Sequence, residues 1–101
     1  MDQKIQLKHP SGKKAIKMDK QKYSAIEKSV LNCLKVKGES THSEILKTIT
    51  EDFKKGKILF EGSIEWHLEW VKLDLEARRV ITRKADTTPI KFKLADKNAN
   101  R

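Results

Sequence analysis

The apolar residues of this chain change their period twice, and that change restricts the fold more than any composition figure. Near the N-terminus Ile5 and Leu7, then Ile16 and Met18, fall at alternate positions, the spacing of half-buried strands. Between the pairs lies His9-Pro10-Ser11-Gly12. Proline presets φ for the second position of a type I turn, and glycine suits the fourth. The spacing predicts a β-hairpin with one apolar face and one lined by lysines.

From residue 19 the period becomes helical. Asp19 suits the cap of a helix running to about Lys35, with Tyr23, Ile26, Val30, Cys33 and Leu34 on its buried face and Gly38 as its stop. Thr41-His42-Ser43-Glu44 has the spacing of a capping box, in which hydroxyl and carboxylate each satisfy the other residue's free backbone N–H. Ile45, Leu46, Ile49 and Phe53 form the stripe of this second helix, which Lys54-Lys55-Gly56-Lys57 ends. Gly62 or Ser63 starts a third helix reaching about Arg78. Strand spacing then returns in Val80–Arg83 and Ile90–Leu94, around a turn over residues 85–89. The expectation is an α+β chain: an N-terminal hairpin over residues 1–18, three helices plus a second hairpin over 19–95, and a disordered tail over 96–101.

Three helices followed by a two-stranded hairpin resembles a winged helix-turn-helix domain, and Leu75-Glu76-Ala77-Arg78-Arg79-Val80-Ile81 resembles the end of its recognition helix and the entry to its wing. The resemblance covers residues 19–95. More narrowly, HPSGKK, the tyrosine-bearing first helix and VKLDLEARRVI are similar to a family of small bacterial winged-helix proteins of unknown function. Two features depart from the pattern. Arg79 stands where a glycine commonly ends the recognition helix, so the helix either closes without a left-handed residue or holds Arg79 there at a cost of ~1 kcal/mol. The link over residues 54–62 also exceeds the 3–4-residue turn of a simple helix-turn-helix.

Charge is distributed unevenly. The net charge is +9, yet residues 61–79 carry five acids against three bases, whereas residues 1–37 carry ten lysines against three acids. Basic side chains supply phosphate affinity whatever the base sequence. The wing residues Arg83, Lys84, Lys91 and Lys93, with Lys13 and Lys14 at the N-terminal turn, are therefore the candidate nucleic-acid contacts. The alternative for these residues is a solvated sheet face whose lysines discourage edge pairing.

The third helix argues against base reading. Ile64, Leu68, Val71 and Leu75 share one face, while Trp66, Trp70, Leu73 and Ala77 lie on nearly the opposite one. Glu65, Glu69, Lys72 and Glu76 run between them, with His67 and Asp74 in the other gap. Base readout calls for Arg, Lys, Asn, Gln or Ser, so this helix does not suit the standard mode. Its second apolar face requires a cover. The N-terminal hairpin is one cover. A second copy or another protein, anchored on Trp66, Trp70 and Leu73, is the other.

No phosphate loop, HExxH, CxxC or nucleophile elbow occurs. The chain is expected to be no enzyme, with no catalytic residue, metal, cofactor or small-molecule ligand. The lone Cys33 falls on a core stripe, as a small apolar residue does. No apolar run approaches the ~20 residues of a membrane span, and the start lacks the apolar core of a signal peptide, so a cytoplasmic location is expected. Two functions stay open. The first, favoured by the fold's usual employment, is a DNA-associated, regulator-like protein with weak sequence preference. The second is a self-associating or partner-binding module without DNA readout.

Overall fold

Asp19 closes the first hairpin and opens the first helix at once. It is the last residue of β2 (Lys17–Asp19), which pairs antiparallel with β1 (Lys4–Gln6), and its carboxylate accepts the Lys22 N–H at 3.0 Å to cap α1 (Lys20–Lys37). These contacts come from a computed structural model that describes residues 3–84, 86 and 88–95. Met1, Asp2, the expected tail over residues 96–101, and Ala85 and Thr87 of the expected wing turn lie outside the described residues. The hairpin turn forms as its residues predict, with the Gly12 N–H donating to the His9 carbonyl at 2.9 Å.

The helices begin where their caps dictate. Thr41 and Glu44 form the capping box of α2 (His42–Lys55), and the Ser63 hydroxyl accepts the Trp66 N–H at the start of α3 (Ile64–Ala77). The second hairpin pairs β4 (Ile81–Lys84) with β5 (Lys91–Leu94). A short strand that sequence spacing does not reveal, β3 (Ser40–Thr41), joins the other side of β5, giving a three-stranded antiparallel sheet in the order β3-β5-β4. Two residues are too few to show a period, so only pairing defines this strand. The expected α+β layout of two hairpins and three helices stands.

One core unites these elements. Leu7 and Met18 enter it from the hairpin, beside Tyr23, Ile26 and Val30 of α1. Ile45, Ile49 and Phe53 come from α2, Leu68, Val71 and Leu75 from α3, and Ile81 and Phe92 from the sheet. Cys33 is buried among them. The N-terminal hairpin lies against α1, and it leaves Trp66 of α3 half exposed. On β5 Phe92 is buried, while Leu94 at its end and Ile90 just before it remain exposed.

Two helices close through left-handed residues that are not glycine. At the end of α3 Arg79 takes φ 62°, its N–H donates to Glu76, and the Val80 N–H donates to Leu75, which is the Schellman pattern. At the end of α2 Lys57 takes φ 53° and the Ile58 N–H donates to Phe53, while Gly56 sits one residue too early at φ −83°. A Cβ makes this conformation unfavourable by ~1 kcal/mol, a cost glycine avoids at the expense of some unfolded-state entropy. Arg79→Gly is therefore expected to raise stability by up to about 1 kcal/mol, seen as a higher urea midpoint at unchanged slope.

Candidate interaction surface

The most strongly perturbed ionisable group, Tyr23, belongs to a cluster around a buried carboxylate, not to an open site. Asp74 is wholly buried at 0% exposure, so its carboxylate needs hydrogen-bond donors from the protein. Lys8 N–H donates to Oδ1 at 2.8 Å, Arg78 Nε donates to Oδ2 at 2.8 Å, and the Tyr23 hydroxyl donates to Oδ2. Two segments distant in sequence thus meet on one carboxylate, beside its own i+4 neighbour Arg78. Burial, then the hydrogen bond to Asp74 and its negative charge, hold the Tyr23 phenol well above its ordinary value of 10.0. Burial, then the Asp74 charge, also push the nearby Glu27 carboxyl up, against the pull of Arg78. Spacing alone had put Asp74 in a surface gap beside His67. Its burial follows from the hairpin's extra chain passing over that side of α3.

The acidic strip of α3 faces basic partners. Glu76 pairs with Arg83 of β4 at 3.2 Å, and Glu65 lies 3.2 Å from Nε2 of His42 at the start of α2. Glu69 lies 3.2 Å from Lys72. It is also 3.3 Å from His42 Nδ1, within ion-pairing distance but outside hydrogen-bond geometry. Lys72 does not stay on the strip: it is buried, with its ammonium 4.2 Å from the centre of the Phe92 ring. Burial pulls that ammonium below its usual range, although Glu69 opposes the shift. Arg83 also lies over Phe92, at 5.4 Å.

The candidate nucleic-acid residues fall into different environments. Arg83 and Lys84 are held by Glu76 and Glu39 respectively. Lys91 is half-buried, paired in register with Lys84 across the wing and with Thr41 of β3. Lys93, Lys13 and Lys14 are exposed. Along α3, Glu76 is engaged with Arg83 of the wing, while Glu65 and Glu69 face His42 of α2 and Lys72 of α3 itself.

The candidate interaction residues also separate. Trp70 and Leu73 are half-buried, and Trp70 packs against the core. Trp66 remains 50% exposed. It meets His67 edge-on at 4.9 Å, His67 meets Phe60 edge-on at 4.9 Å, and Phe60 stacks on core Phe53 at 5.4 Å. This chain of rings extends the core to the surface through the α2–α3 link. There Leu59 is 96% exposed beside exposed Ile58. Apolar runs usually enter a core; of Ile58-Leu59-Phe60 only Phe60 packs against it. The segment's short length and the left-handed Lys57 before it direct Leu59 outward instead. Among the described residues no helix is long and apolar enough to cross a membrane, and no three metal-ligating side chains converge.

Tyr23→Phe leaves Asp74 two donors and is expected to cost about 2 kcal/mol. It also carries a pH signature. The unfolded tyrosine releases its proton near 10.0 while the folded one retains it, so stability falls as pH rises above 10. Urea titrations across that range should show this component in the wild type and its loss in Tyr23→Phe.

No curated protein and no solved structure matches the chain. A family model matches residues 4–92, covering the N-terminal hairpin, all three helices and most of the second hairpin. The chain belongs to DUF6958, a family of unknown function.

Proposed function

We propose that this protein is a protein-interaction module, not an enzyme, and that it keeps a winged-helix order of elements without base readout. The observation that carries this reading is the pairing of the acidic α3 strip with the wing and α2. Glu76 engages Arg83, and Glu65 and Glu69 face His42 and Lys72. Carboxylates on that face repel phosphate and offer few of the donors that major-groove reading uses. The exposed Trp66, continuous with the core through stacked rings, supports a protein partner, since tryptophan is a frequent interface anchor. The cytoplasmic location belongs to the same proposal.

A second reading, weak attachment to DNA phosphates, is favoured by the exposed Lys13, Lys14 and Lys93 on a chain of net charge +9. A duplex titration at low ionic strength separates the two readings. The interaction module is expected to show little affinity, and solution mass measurement reports whether copies self-associate. Binding by the wild type that weakens steeply with salt, and is lost in a Lys91→Glu/Lys93→Glu variant, would establish the second reading in its place.

A further inference from the structure

A cleft of about 480 Å³ opens between the start of α1 and the α2–α3 link. Ala25, Ile58, Leu59 and Phe60 give its apolar lining, and Lys4, Lys22, Asp19 and Glu61 its charged lining. The Lys22 ammonium lies 5.6 Å from the centre of the Phe60 ring. The Asp19 carboxylate is already engaged in capping α1. Exposed Lys54, Lys55 and Lys57 lead directly into the apolar link. From Phe60 the ring contacts continue through His67 to Trp66.

We propose that this cleft docks an acidic amphipathic segment of a partner protein. In that complex an apolar side chain of the segment enters between Leu59 and Phe60, and its carboxylates face Lys4 and Lys22, the lysines that line the cleft. The proposal rests on the interaction-module reading and names the partner's chemistry. Apolar surface beside lysines suits a ligand that pairs apolar side chains with negative charge. A second copy of the chain suits it poorly. A two-fold interface sets each patch against itself, so Lys54, Lys55 and Lys57 would meet their own counterparts on a partner also carrying +9. An anionic lipid surface offers similar chemistry on a plane, whereas a cleft accommodates a side chain that enters it.

The probe is a synthetic fluorescent peptide with leucines at helical spacing and glutamates between them, titrated by anisotropy at low and moderate salt. Its controls are the same peptide with glutamine for every glutamate, and phosphatidylserine vesicles. The acidic peptide is expected to bind the wild type, more weakly as salt rises. Affinity should fall about tenfold or more in both Leu59→Ser and Lys22→Glu. Neither change threatens the fold. Leu59 is 96% exposed, and an acid in the first turn of α1 favours the helix dipole; unchanged thermal transitions verify this. Equal binding of the glutamine peptide, or undiminished binding by Leu59→Ser, overturns the cleft assignment while leaving the interaction module standing. Vesicle binding without peptide binding overturns it in favour of a membrane. Absence of peptide binding together with salt-sensitive duplex binding overturns both readings.

Discussion

A single buried carboxylate organises the molecule. Asp74 is out of contact with water, and an ionised group in that position persists only where the fold supplies its donors. Those donors come from the segment after β1, from α1 and from the end of α3. The arrangement can be satisfied only when the N-terminal hairpin, the first helix and the third helix hold their mutual positions. The apolar contacts of Leu7, Met18 and Tyr23 stabilise the same junction, but apolar contacts alone tolerate sliding. The directional bonds to Asp74 select one arrangement, and they make the hairpin an integral part of the domain.

The same economy governs the charges of the third helix. A helix with carboxylates on its flank, in a chain of net charge +9, meets basic groups wherever it packs. His42, Lys72 and Arg83 fill that role, and Phe92 lies beneath both Lys72 and Arg83. Exposed pairs of this kind contribute little to stability. Their consequence is chemical: the face is occupied by internal contacts. Exposed positive charge is left at Lys13 and Lys14 of the N-terminal turn, at Lys93 of β5, and at Lys54, Lys55 and Lys57, which lead into the exposed Ile58 and Leu59.

Much of the architecture was legible in sequence because it depends on local rules. Asp19, the Thr41–Glu44 capping box and Ser63 start the helices through short-range hydrogen bonds, and the His9–Gly12 turn needs only its own four residues. The stripes of Ile26, Val30, Ile45, Ile49, Leu68, Val71 and Leu75 are buried because helical spacing places them on one face. The site was far less legible. Trp66, Trp70 and Leu73 share one side of α3 by spacing, yet only Trp66 is exposed. Asp74 and Lys72 look like surface residues from their positions on that helix, and both are buried. No periodicity records which neighbouring segment passes over a given flank.

The sequence by itself determined the order of elements, their caps and the faces they bury, because each depends on backbone hydrogen bonding and side-chain spacing within a few residues. Tertiary structure decided the rest. It decided the pairing of Ser40 and Thr41 with β5, the left-handed closures at Lys57 and Arg79 in place of glycine, the three donors on Asp74, and the outward path of Leu59. The strand pairing and the Asp74 donors from Lys8 and Tyr23 follow from the approach of segments distant along the chain, whereas the two closures form through hydrogen bonds within five residues and become visible only in the structure because no glycine marks them.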